Sequence, residues 1–120
     1  TGGFLKVHAE FTIHRDFALD RRLNFLLYLN HDWPEEYGGH LELWDKDMQG
    51  PPKRVLPIAN RCVVFSTTAT SYHGHPHTVT CPENVYRKSL ALYYYTNGRP
   101  AGEAEPVGAA LWQELPAAYR

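Results

Sequence analysis

The sequence predicts an all-β domain, a barrel or jelly roll with little helix. Two observations carry this. Short alternating or apolar runs recur through residues 1–100, and turn-forming residues separate them. Residues 4–11 alternate as a strand does. Residues 23–30 (Leu-Asn-Phe-Leu-Leu-Tyr-Leu-Asn) are strongly apolar, as a central strand requires. Residues 40–45 alternate again. Residues 54–58 form a short candidate whose Pro57 suits a strand end or edge. Residues 61–66 and the brief run 71–74 follow, and residues 87–96 close the series with alternating aromatics. Breakers fall at 33–39, 50–52, 59–60 and 81–84. Many short strands with frequent turns suit a closed or doubly layered β fold.

Length and composition narrow the class. With 120 residues the chain can bury one core. Lys+Arg (12) and Asp+Glu (13) nearly cancel, so charge offers no case for nucleic acid or an anionic membrane. No apolar run approaches the ~20 residues of a membrane helix. The two cysteines, Cys62 and Cys81, are too few for a disulfide framework, so reduced thiols in a cytoplasmic protein are expected. After Asn97-Gly98-Arg99-Pro100 the composition turns to Ala, Gly, Glu and Pro. The expected organisation is a core over 1–100 and a C-terminal linker or surface arm over 101–120, with one short helical turn over 109–115. The chain opens on Thr1 and enters a strand pattern at once, so a helical region upstream of it is also expected.

Three features could carry chemistry. His8-x-Glu10 lies in a strand pattern, where residues two apart share a face. An imidazole and a carboxylate side by side can supply two metal ligands. With one more histidine they make the two-histidine, one-carboxylate set of non-haem Fe(II) oxygenases. Alone, the pair recurs often by chance. Tyr72-His73-Gly74-His75-Pro76-His77 offers that third ligand from alternate positions. Arg87 opens the last strand, and a guanidinium inside a barrel suits a bound carboxylate. His14-Arg15-Asp16 is a second His-x-Asp pattern, outside the first strand.

In combination these residues resemble the 2-oxoglutarate/Fe(II)-dependent oxygenase superfamily, in its prolyl-4-hydroxylase-like branch. The resemblance runs over residues 2–95. Its carriers are Gly2 to Glu10, the Tyr28-Leu29-Asn30 element with Trp33, Gly38-Gly39-His40-Leu41, Val63-Val64-Phe65, Tyr72-His73-Gly74-His75-Pro76 and Arg87 with the strand after it. It implies a double-stranded β-helix, a distorted jelly roll of cupin-like form. It implies Fe(II) held by His8, Glu10 and His73, with His75 as the alternative distal ligand and His77 behind it. 2-Oxoglutarate would chelate the metal and set its far carboxylate on Arg87, helped by the Tyr28 hydroxyl. Leu26, Leu41 and Ala91 would line that pocket. O2 would be the oxidant and ascorbate supportive.

The implied reaction is hydroxylation of an unactivated C–H bond, with release of succinate and CO2. A prolyl residue or an amino acid is the expected target, within a peptide, a protein or a small molecule. Glu10 stands where the family usually has aspartate. It is still an oxygen donor, unlike the small residue of halogenases, so hydroxylation is the expected outcome. Two readings compete: a non-catalytic cupin-like module binding metal or a small acid, and a Zn or Ni site built from the 73–77 histidines. His31 and His40 are expected at the surface or the substrate side.

Overall fold

The computed structural model describes residues 1–106 and 108–120. Its strands are β1 (Leu5–Ala9), β2 (Asp20–Tyr28), β3 (Leu41–Leu43), β4 (Lys53–Val55), β5 (Cys62–Ser66), β6 (His73–His75), β7 (Ser89–Thr96) and β8 (Leu111–Trp112). Only two short 3-10 turns, Glu35–Tyr37 and Ala117–Tyr119, depart from this among the described residues. Antiparallel ladders build a five-stranded sheet, ordered β4-β3-β6-β1-β8, and a three-stranded sheet, ordered β5-β2-β7. The architecture is the all-β jelly-roll core expected of the sequence, and each expected run overlaps a strand. Bounds shift by a few residues in both directions: β2 starts earlier, at Asp20, but stops at Tyr28, where a side chain takes over from the ladder. Asn30, just past β2, donates to the carbonyls of Pro57 (2.6 Å) and Lys88 (3.0 Å) and accepts from the Lys88 N–H (2.6 Å). One amide thereby ties the end of β2 to the approach to β7.

Two bulges decide which side chains face inward. β1 pairs with β6 through Leu5↔His75 and His8↔His73, with a register shift between. Leu5 and His8 are three apart, yet both face the space between the sheets, because the bulge resets the parity. Gly74 permits this approach: a Cβ there would lie 2.8 Å from the Leu5 carbonyl oxygen. A second shift, between Arg21 and Leu23 on β2, turns Arg21 to the same side as Asn24.

The C-terminal segment differs from the expected helical turn over 109–115. Residues 111–112 instead extend the β1 edge as β8, in register as His8↔Trp112 and Ala9↔Leu111. The unpaired edge of β1 offers backbone partners that an isolated helical turn would lack. Beyond β8, Leu115 and Tyr119 pack on a small core of Val7, Trp44 and Met48 on the outer face of the five-stranded sheet. Tyr119 meets Trp44 edge-on at 5.2 Å. A second core gathers Trp33, Val79 and Cys81. Trp33 and Trp44 are therefore buried packing residues. His40 is buried too, bonded to Glu35 at 2.7 Å and to Arg54 at 3.3 Å, which corrects its expected surface place.

If the arm is anchored this way, Tyr119→Ala should lower unfolding free energy by about 1–2 kcal/mol in urea titrations. An unchanged midpoint would mean that the segment adds no stability.

Candidate active site

A cavity of about 240 Å³ lies between the two sheets. His8, Leu41, His73 and His75 line it from one sheet; Asn24, Leu26, Tyr28, Ala91 and Tyr93 line it from the other. Glu10 and Arg87 enter from just outside β1 and β7. All eight residues expected from the sequence (His8, Glu10, His73, Arg87, Tyr28, Leu26, Leu41 and Ala91) meet on this one cavity. A larger groove, about 580 Å³, runs past Arg22, Arg99 and Glu103. It holds none of these donors, and its charges are already paired as Arg22–Glu103 (2.8 Å) and Arg99–Asp20 (3.0 Å).

His8, Glu10 and His73 offer one ligand atom each, all within 4.8 Å of one another. The β1–β6 register brings this about by setting His8 directly opposite His73. Each imidazole is already oriented for a metal. His8 Nδ1 lies 2.9 Å from the Lys6 carbonyl, and His73 Nδ1 lies 2.9 Å from the Ser71 carbonyl. A carbonyl only accepts, so both Nδ1 atoms carry a proton and each Nε2 faces the metal position: that of His73 is free, and that of His8 would give up the proton it shares with Glu10 to coordinate. The donor chemistry therefore suits a small divalent cation such as Fe(II).

Glu10 is held from behind. Arg21 Nη1 donates to Oε2 at 3.2 Å, and Oε1 lies 3.6 Å from His8 Nε2. Arg21 is only 2 % exposed. Its guanidinium lies between the Phe11 ring (4.6 Å) and the Tyr93 ring (3.8 Å) and donates twice to Asn24 Oδ1. Sequence reading missed this residue, because plain alternation puts Arg21 on the opposite face from Asn24 and only the bulge reverses that. It also missed Trp112, whose ring tilts against His8 at 4.8 Å and stays 58 % exposed.

The ionisation states follow from these contacts. The His8 hydrogen bond, then the charges of Arg21 and His8, hold the Glu10 carboxyl below its usual range against the opposing effect of burial. Burial would lower His8, but Glu10 and the Lys6 carbonyl outweigh it and raise the pKa. Burial pushes His73 down to about 4. Burial, with help from Arg87, takes His75 to about 4 as well. At neutral pH both are neutral.

Arg87 forms the other end of the cavity. Its Nε donates to the Gly39 carbonyl at 2.8 Å. Gly39 has φ +69, and a Cβ there would stand 3.0 Å from Arg87 Cδ, so the Gly38-Gly39 turn makes room for this side chain. The Arg87 guanidinium lies 5.2 Å from the centre of the Tyr28 ring. The other histidines stand apart. His14 accepts from the Asp16 backbone N–H at 3.2 Å within its own turn. His77 lies 3.4 Å from the buried carboxylate of Glu42. The 73–77 histidines thus diverge, and among the described residues they do not converge as a metal site of their own.

Residues 1–95 match the model of the 2OG-Fe(II) oxygenase superfamily. The chain belongs to that superfamily. It is therefore a 2-oxoglutarate-dependent dioxygenase domain, of a family whose members use Fe(II), 2-oxoglutarate and O2. Among curated proteins it is similar to prolyl 3-hydroxylase OGFOD1 of Mus musculus, 31 % identical over 86 residues, 68 % of this chain and 15 % of the relative. The Xenopus laevis protein of the same name is 36 % identical over 64 residues, 50 % of this chain and 12 % of the relative. The aligned part is thus a small fraction of each relative's length.

A pH dependence follows for the metal-free protein. Between about 6.5 and 4 the unfolded chain protonates His73 while the folded chain does not. The stability present above this window is lost as pH falls through it. His75 acts in the same direction, and His8, with its raised pKa, acts oppositely. Metal-free protein should melt at a lower temperature at pH 5 than at pH 7.5. His73→Gln should shrink that difference in parallel melts; an equal difference in both proteins would contradict a buried neutral imidazole.

Proposed function

We propose that this domain binds Fe(II) through His8 Nε2, Glu10 and His73 Nε2 and hydroxylates a prolyl residue of a peptide or protein. The observation that carries the reading is the convergence of these three donors at one end of a cavity whose other end holds the Arg87 cation. When bound, Fe(II), 2-oxoglutarate and O2 together supply the oxidising power to break an unactivated C–H bond, yielding succinate and CO2.

This chain's own residues supply the rest. The two Nδ1–H groups keep the imidazoles turned toward the metal position. Arg21 holds Glu10 by one oxygen and leaves the other for the metal. Arg87 and the Tyr28 hydroxyl receive the far carboxylate of the co-substrate, while Leu26, Leu41 and Ala91 form the apolar wall along its methylenes. The two sheets shield these charges from water in part, which strengthens each contact. The name shared by the two relatives supports a prolyl substrate. Trp112 and the open rim beside His8 give such a substrate its approach.

With Fe(II), 2-oxoglutarate and proline-containing peptides in air, the protein should form succinate and a peptide heavier by one oxygen atom. Fragmentation spectra locate the oxygen at C3 or C4 of proline. His8→Ala and His73→Ala should each abolish succinate, and sustained turnover in either would refute the ligand assignment. Metal binding without succinate from any peptide would favour the non-catalytic module.

Arg21→Met should weaken Fe(II) binding by roughly 10- to 100-fold, since it leaves the outer oxygen of Glu10 without its partner. Anaerobic titration of Fe(II) measures this, and undiminished affinity would remove Arg21 from the positioning of Glu10.

A further inference from the structure

The Arg87 end of the cavity carries more hydrogen-bonding capacity than the protein itself uses. Arg87 spends its Nε on Gly39, and its remaining N–H groups reach toward the Tyr28 hydroxyl without closing a hydrogen bond of ordinary length. The Tyr28 hydroxyl is buried and without a partner, and Tyr28 as a whole is 1 % exposed. His75 Nδ1 is likewise buried and without a partner. All three residues line the same cavity. The charge of Arg87 is close enough to act on both Tyr28 and His75.

A buried polar atom without a partner is costly, so the Tyr28 hydroxyl and His75 Nδ1, beside the uncommitted end of Arg87, point to a ligand that pairs with them. His75 reaches this place through strand geometry. On β6 it shares the inward face with His73, two residues away, and its pairing with Leu5 sets it beyond His73 along β1, away from Glu10. It stands outside the group of His8, Glu10 and His73 that could hold a metal. A neutral imidazole can carry its one N–H on Nδ1.

Building on the function proposed above, we propose that His75 is a third anchor for the far carboxylate of the co-substrate, donating from Nδ1 beside Arg87 and Tyr28. Three donors on one carboxylate select as well as bind. A 2-oxo acid of the same length with a methyl group in place of that carboxylate would leave all three donors buried and unpaired, and it is rejected for that reason. His75 thereby ties the site to a dicarboxylic 2-oxo acid.

The test is calorimetric binding to Mn(II)-loaded protein without O2, so that no turnover is needed. The probes are 2-oxoglutarate and its monoacid counterpart 2-oxopentanoate. His75→Leu keeps the side-chain bulk without a donor and should weaken 2-oxoglutarate binding about tenfold. It should leave 2-oxopentanoate binding unchanged. His75→Gln, which keeps an N–H donor, should recover most of the loss and serves as the second variant if His75→Leu does not fold. Mn(II) affinity should be the same in all three proteins.

Equal weakening for both probes would overturn the proposal, since the effect would then not belong to the far carboxylate. A loss of Mn(II) affinity in His75→Leu would also overturn it, because His75 would then be a metal ligand. Arg87→Met separates this inference from the reading beneath it. If Arg87→Met loses 2-oxoglutarate while His75→Leu keeps it, the His75 anchor alone fails. If both variants bind 2-oxoglutarate undiminished, the co-substrate site itself is misplaced.

Discussion

The pairing of β1 with β6, bulged between Leu5 and His8, is the constraint on which the site depends. It sets His8 opposite His73, turns both imidazoles inward and leaves Val7 to the opposite face, where it nucleates the core beneath Trp44 and Met48. A regular ladder would force a choice between Leu5 and His8 on the cavity side, since side chains alternate strictly in an unbroken strand. The bulge lets an apolar residue and a metal donor serve the same cavity. Gly74 is the partner residue that makes the approach sterically possible.

Around this pairing the charges are distributed with a purpose that burial makes legible. Arg21 is surrounded by Phe11, Tyr93, Asn24 and Glu10, so its charge is spent within the protein. Arg87 is only partly buried and spends one N–H on a backbone carbonyl. Burying a cation is tolerable when it is paired and costly when it is not. The contrast assigns them different work: the first steadies a carboxylate of the chain itself, and the second awaits one from outside. The turn at Gly38-Gly39 and the amide of Asn30 hold the Arg87 side of the cavity, which is why those short motifs accompany the ligand pattern.

Much of the site was readable along the chain. His8 and Glu10 stand out because residues two apart in a strand pattern share a face, and His73 because alternate histidines follow a β-run; Arg87, Tyr28, Leu26, Leu41 and Ala91 were assigned through the family resemblance rather than by periodicity. Arg21 was not readable, because a bulge changes parity without a sequence mark. His75 was visible as a histidine of the right parity, yet its orphaned Nδ1 exists only where the two sheets come together. The C-terminal segment read as an arm with a helical turn because its composition is poor in strand formers. Its partner, the free edge of β1, lies far away in sequence.

The sequence by itself determined the β class, the strands and the residue types able to bind a metal and an acid, since these follow from local periodicity and side-chain chemistry. Only the tertiary structure decided which nitrogen of each histidine is free, which arginine is already paired, and that the last residues complete a sheet. Those outcomes depend on backbone carbonyls, bulges and sheet edges brought together from distant parts of the chain. Such partners have no side-chain signature to read.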